Sequence, residues 1–218
     1  MSGTIGVMSG EFWHADFALS LMHQQTPPGA KLINPKGIDI VGNMNAMVRG
    51  MKGDWLWILG TDHLMNFDCL MRLLAHEVEV VVPLCLKRSP PYDPVVYSHQ
   101  NEKGEYVGYN DLPEHGLIPV HAAGSAGMLV RREILDALAT PDVFASHGGL
   151  NEDLSFCARV RDELGVQIWC DVDTPIGHIG ANSVWPRFKD GEWKIDLHLG
   201  NNQIMPINRI VKPELAAA

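Results

Sequence analysis

The stretch GDWLWILGTDH, residues 53–63, packs bulky apolar side chains into a run that stops at Gly60-Thr61 and ends on an acid and an imidazole. Trp55 to Leu59 is too short for a helix, and an unbroken apolar run of that length reads as a strand buried on both faces. Open α/β sheets bind ligands at the carboxyl ends of such strands. Asp62 therefore stands where a ligand is expected.

Outward from this strand the chain alternates. Upstream, Thr4 to Met8 reads as a strand, Phe12 to His23 as a helix and Lys31 to Asn34 as a second short strand. Ile40, Met44, Met47, Val48 and Met51 then recur at helical spacing until Gly53. Downstream, Phe67, Leu70, Met71 and Leu74 mark a helix, and Val78 to Pro83 a strand. This β-α-β-α-β-α-β order predicts an α/β fold with a mainly parallel central sheet flanked by helices and a Rossmann-like N-terminal half. After Pro83 the pattern loosens into proline-punctuated polar sequence with a hairpin expected around Glu102-Lys103-Gly104. Val120 to Arg131 reads as strand, glycine-rich turn and strand, followed by a short helix from Arg132 to Leu138. Asn151 is placed to cap a helix running from Glu152 to Leu164 and ended by Gly165, and Gln167 to Val172 reads as another strand.

The 218 residues, 46% hydrophobic and 20% charged, suit one globular domain without a linker. The apolar runs fall far short of the ~20 residues of a membrane span, and no basic segment with a long apolar core opens the chain, so no membrane partner and a cytoplasmic address are expected. Cys69, Cys85, Cys157 and Cys170 lie singly in apolar stretches without CxxC spacing, which reads as reduced core thiols. A formal net charge of −9 argues against a strong grip on a polyanion, leaving nucleic acid open as an acceptor but not indicated.

Four places in this order of elements resemble a GT-A nucleotide-sugar glycosyltransferase of the large family-2-like group: Asn45-Ala46-Met47-Val48, Trp55 to His63, Gly124 to Arg131, and Asn151-Glu152-Asp153-Leu154 with Phe156-Cys157 and the later Gly177-His178. Together they span most of residues 1–180. The resemblance implies a single domain over 1–213, with a nucleotide-binding half (1–84), an acceptor-side half (85–213) and a frayed tail (214–218). In such enzymes the strand resembling Trp55–Leu59 ends in Asp-x-Asp, whose last acid holds a divalent metal on the diphosphate. A later Glu-Asp pair lies by the acceptor, and a His after the next strand is a further metal ligand. Here the first acid is replaced by Gly60, giving Gly60-Thr61-Asp62, and the Arg that usually precedes the helix Asn is Met44.

The resemblance therefore implies transfer of a sugar from a nucleotide diphosphate sugar, a uridine one, to an acceptor hydroxyl. Asp62 and His178 are the expected ligands of Mn²⁺ or Mg²⁺. Ser9, Gly10, Asn45, Thr61, Asp62, Gly124 and Gly127 are expected around the nucleotide sugar, Asp153 as base, and Glu152 on acceptor hydroxyls. The chemistry suits these residue types. Negative charge developing on a leaving diphosphate is met by a hard cation on a carboxylate, and an imidazole ligand tilts the choice toward Mn²⁺. A buried Asn45 amide wants partners, which the nucleotide or the Asp62 loop would supply. The positive end of the helix is expected to keep Asp153 ionised. Alternation along an extended segment turns His63 away from Asp62, so His63 stays outside the metal set, behind the site or touching it indirectly. Trp185, in the segment from Gly180 to Pro186, is read either as part of a mobile lid or as packing against the sheet edge.

Blander alternatives stand beside each role. Asp62 could be a turn residue before the next helix, His178 a satisfied histidine, and Glu152-Asp153 acids favoured by the helix dipole. Two other functions are also open. Ala123-Gly124-Ser125-Ala126-Gly127 approximates a hydrolase elbow with Asp171 and His178 following in order, although Met128-Leu129-Val130 reads as a strand where an elbow feeds a helix. With Gly60 in place of an acid, the chain could also be a degenerate nucleotide-sugar binding module.

Overall fold

The computed structural model describes residues 2–9, 11–37, 39–109, 111–138, 142–180, 183–198 and 204–207. In chain order these form β1 (Thr4–Val7), α1 (Ala15–Met22), β2 (Lys31–Ile33), α2 (Ile40–Gly50), β3 (Trp55–Leu59), β4 (His63–Leu64), α3 (Cys69–Ala75) and β5 (Val80–Leu84). There follow β6 (Val96–Gln100), β7 (Tyr106–Gly108), β8 (Leu117–Val120), β9 (Ala122–Ala123), β10 (Met128–Arg131), α4 (Arg132–Ala137) and α5 (Glu152–Leu164). The last elements are β11 (Ile168–Pro175), β12 (Gly177–Ile179), β13 (Ser183–Lys189), β14 (Glu192–His198) and β15 (Ile204–Ile207). Gly10, residues 181–182 of the expected lid, and the tail 214–218 lie outside the described residues.

The opening strand is buried along its whole length, as its apolar run requires. Its side chains alternate between two cores. Leu56 and Ile58 join Met44 and Met47 of α2 and Phe156, Cys157 and Val160 of α5, whereas Trp55, Trp57 and Leu59 face Phe17 of α1 and Leu70 and Leu73 of α3. Each large side chain so buried favours the fold by roughly 1.5–3 kcal/mol relative to exposure. The expected helices on both faces are therefore present.

The sheet itself is mostly parallel in direction but mixed, because two strands run against the rest. Its order is β2-β1-β3-β10-β5-β11-β8; β2, β1, β3, β5 and β11 point one way, and β10 and β8 oppose them. The reason lies in the turn at residues 124–127. It sits beside Pro83 and Ile176, at the ends of β5 and β11, and feeds β10 into the sheet from that edge. A strand entering there must run backward. One sheet thus draws strands from both 1–84 and 85–213.

A second sheet, β15-β14-β13-β12-β4, extends past the last strand expected from the sequence. Its β13–β14 hairpin turns on Asp190-Gly191, both at positive φ, the backbone that a two-residue hairpin needs. Trp185 accordingly belongs to a paired strand and not to a lid. Its indole leaves no room for a side chain at Gly177, and it stacks on His198 at 5.6 Å. The third sheet, β7-β6-β9, contains the expected hairpin around residue 103. No helix among the described residues is long and apolar enough to cross a membrane.

Candidate functional site

In the sheet order β2-β1-β3-β10-β5 the chain leaves β1 toward β2 on one side and leaves β3 toward β5 on the other, so the carboxyl ends of β1 and β3 form a switch point, the place where such sheets hold ligands. Beyond β3 the chain turns at Thr61-Asp62 and enters β4, which pairs with β12 in a register that sets His63 opposite His178. The Asp62 carbonyl accepts from the Ile179 N–H at 2.7 Å, which fixes the turn. Its carboxylate gathers three side chains. Oδ2 accepts from Arg88 Nη1 at 2.8 Å and lies 3.3 Å from His178 Nε2, while Oδ1 is 3.7 Å from His63 Nε2. Gly60 makes room for this arrangement, because a Cβ there would sit 2.7 Å from Asp62 Oδ1 and 3.1 Å from His63 Cε1.

The hydrogen bonds assign the protons. His178 Nδ1 lies 2.8 Å from the Leu86 carbonyl, which can only accept, so Nδ1 carries a hydrogen and Nε2 faces Asp62. Burial opposes a charge on His178, but the hydrogen bond to Asp62, with help from Cys85 and the Leu86 carbonyl, raises its pKa to about 10. Burial likewise opposes charge on Asp62, yet His178, His63 and Arg88 together hold that carboxyl at about 2. His63 is different. Burial drives it down to about 4, so it is neutral, and its Nδ1 accepts from the Gly60 N–H at 3.3 Å. Its proton therefore sits on Nε2, toward Asp62. Facing atoms of Asp62, His63 and His178 all lie within 4.8 Å of one another, a grouping able to hold a metal ion. Alternation failed for His63 because Asp62 lies in a turn and not in an extended segment.

A second group forms at the start of α5. The Asp153 carboxylate lies against the turn at residues 124–127: it accepts from the Ser125 backbone N–H, and a Cβ on Gly124 would stand 3.5 Å from Oδ2. Oδ1 accepts from the Leu154 N–H at 2.7 Å. Burial raises the Asp153 pKa in spite of these N–H bonds, with neighbouring Glu152 adding to the rise, so the helix end does not dominate as the sequence suggested. Asn151 occupies the cap position without a side-chain cap bond. Glu152 stands beside Asp153, half-buried in the first turn.

Other expected residues have different partners. Asn45 is buried and tied to another loop: its Nδ2 donates to the Phe144 carbonyl at 2.7 Å and its Oδ1 accepts from the Phe144 N–H at 3.0 Å. Both ends of the amide are thereby satisfied, which answers the demand for partners without a nucleotide or the Asp62 loop. Ser9, past the end of β1, accepts from Asn34 Nδ2 at 2.8 Å, while Thr61 is half-buried in the turn before Asp62. Gly127 adopts φ +70° and gives its carbonyl to Trp57 Nε1 at 3.0 Å, and a Cβ there would meet Pro83 Cγ at 2.7 Å. That position shapes the turn. The hydrolase constellation does not assemble, since Asp171 bonds His76 at 2.9 Å and Thr174 at 2.6 Å while His178 bonds Leu86 and Asp62, and the chain after Ser125 enters β10. Arg88 was missed entirely; it lies in a proline-rich loop with no periodicity to mark it.

No protein-family model matches the chain, and no curated protein does. Among solved structures the chain is similar to the crystal structure of A197 from STIV, with a TM-score of 0.54 at 12% sequence identity over 96% of this chain and 96% of that one. At that identity the likeness concerns the fold alone.

Proposed function

We propose that this chain is a cytoplasmic GT-A-like glycosyltransferase that uses Mn²⁺ or Mg²⁺ to move a sugar from a nucleotide diphosphate donor, a uridine nucleotide, to an acceptor hydroxyl. The observation that carries this reading is the convergence of Asp62 Oδ2 and His178 Nε2, 3.3 Å apart, beyond the carboxyl end of β3 at the switch point of the sheet. Free, buried cysteines among the described residues suit a reducing compartment.

The donor set fits a divalent cation. With Nδ1–H committed to Leu86, the nitrogen His178 can offer is Nε2, which faces the carboxylate and must give up the proton it shares with Asp62 as a cation binds; a ligating imidazole is held in this way through its other nitrogen. His63 turns an N–H toward Asp62 Oδ1 and steadies it from behind, which keeps His63 an orienting residue. Carboxylate plus imidazole favours Mn²⁺ over Mg²⁺. The bound cation would supply charge to a leaving diphosphate.

The residues then divide the work. Ser9 and Thr61, at the ends of β1 and β3, frame the nucleotide, and the turn at residues 124–127 forms a small-residue floor. Asp153, made more basic by burial, accepts the proton of the acceptor hydroxyl, with Glu152 beside it holding acceptor hydroxyls. The net charge of −9 favours an acceptor other than a polyanion.

Thermal unfolding with a panel of nucleotide sugars, with and without Mn²⁺, tests the reading. A true donor at a hundredfold excess over Kd stabilises the folded state by about 2.7 kcal/mol. The stabilisation should require Mn²⁺ and vanish in Asp62→Ala, whose fold should survive because a turn carboxylate adds little to the core. An Asp62→Ala variant that keeps Mn²⁺-dependent stabilisation rules the metal site out.

A further inference from the structure

Asp62 Oδ2 is a shared atom. The oxygen facing His178 Nε2 also accepts from Arg88 Nη1 at 2.8 Å, so a guanidinium stands in front of the carboxylate on the side open to solvent. The Arg88 side chain is 58% exposed against 33% for Asp62, and this is its one hydrogen bond among the described residues. Its loop is closed at the base: Leu86 bridges Pro94, Lys87 N–H donates to the Asp93 carbonyl at 2.9 Å, and Tyr92 N–H donates to the Ser89 carbonyl at 2.9 Å. The backbone is thus fixed while the side chain is free to change partners.

Of the cationic or imidazole groups around Asp62, His63 is buried and tied to Gly60, and His178 is tied to Leu86. Arg88 alone keeps most of its N–H donors uncommitted. A guanidinium and a divalent cation repel each other and cannot both sit against one carboxylate oxygen at contact distance. Phosphate oxygens match the planar N–H fork of arginine in paired hydrogen bonds. We infer that Arg88 is an exchange cation: it holds Asp62 when no metal is bound, yields that oxygen to the incoming divalent ion, and then grips the phosphate oxygens of the nucleotide diphosphate. This rests on the proposed metal site and adds to it a second cation for the same substrate group.

The test uses the full chain and two titrations, Mn²⁺ alone and UDP at saturating Mn²⁺, on wild type, Arg88→Ala, Arg88→Lys and Asp62→Ala. In Arg88→Ala, Mn²⁺ should bind about tenfold more tightly because its competitor is gone, and UDP about tenfold more weakly because a charge-assisted phosphate contact is lost. Arg88→Lys keeps the charge without the fork, so its Mn²⁺ affinity should stay near wild type while UDP binding falls in part. Mn²⁺ binding that Asp62→Ala abolishes but Arg88→Ala leaves unchanged or weakens overturns the exchange and spares the metal site. UDP affinity indifferent to Arg88→Ala likewise overturns the phosphate role alone. A wild-type protein that binds no Mn²⁺ overturns both.

Discussion

Replacing Asn45 by alanine separates a structural amide from a nucleotide contact. Its side chain makes two hydrogen bonds, of 2.7 and 3.0 Å, to the carbonyl and N–H of Phe144, and Asn45 and Phe144 are both buried. Truncation leaves both backbone groups of Phe144 unpaired where water does not reach, at about 1–3 kcal/mol each. The variant should therefore lose about 3 kcal/mol of stability, which for a chain of this size lowers the melting temperature by roughly 6–12 °C. Asn45→Asp should do no better, since a carboxylate accepts from the Phe144 N–H but sets a second acceptor against the carbonyl. Urea denaturation measures the loss, and nucleotide-sugar affinity measured well below the melting temperature should stay at the wild-type value. Unchanged stability with lost donor binding would refute this reasoning and return Asn45 to the nucleotide.

Asp153→Asn should lower turnover by ~10²–10⁴-fold with donor and metal affinity unchanged, while Ser125→Ala is mild; steady-state kinetics with binding titrations checks both. The same Asp153→Asn variant tests the burial of the acid. The pKa of Asp153 is raised above 3.8 in the folded chain, so between the two values the unfolded chain binds fewer protons and stability falls as pH rises. Asparagine has no such loss, so its stability relative to wild type should grow as pH climbs through that window and then level off, as read by urea denaturation at a series of pH values. Gly127→Ala should cost roughly 2 kcal/mol in the same assay, because alanine resists positive φ and its Cβ would press on Pro83.

The sequence made β3 legible because burial on both faces leaves an unbroken apolar run, and alternate side chains of that run do face two cores, one with Phe17 and one with Met47. The direction of β10 was not legible, since Met128 to Arg131 carries the same apolar pattern whichever way it enters; the turn at residues 124–127 decides. The alternation that set His63 apart from Asp62 holds only in extended chain, and Asp62 is in a turn, so the imidazole faces the carboxylate after all. The Asp190-Gly191 signal for the β13–β14 hairpin was present in the sequence and went unread. Arg88 reaches Asp62 across 26 positions of chain through a proline-rich loop, and such a meeting leaves no local trace. Asp62 and His178, by contrast, were nominated together, and the pairing of β4 with β12 brings them to 3.3 Å.

Release of nucleotide diphosphate from a UDP-sugar, with water or acceptor as the second substrate, can be followed with Mn²⁺, with chelator, and in Asp62→Ala and His178→Ala. Release should require Mn²⁺, disappear with chelator and in Asp62→Ala, and be reduced less severely in His178→Ala. Release that persists in chelator or in Asp62→Ala contradicts the metal site, and a donor that binds with Mn²⁺ but is never cleaved, even with acceptors supplied, contradicts transfer.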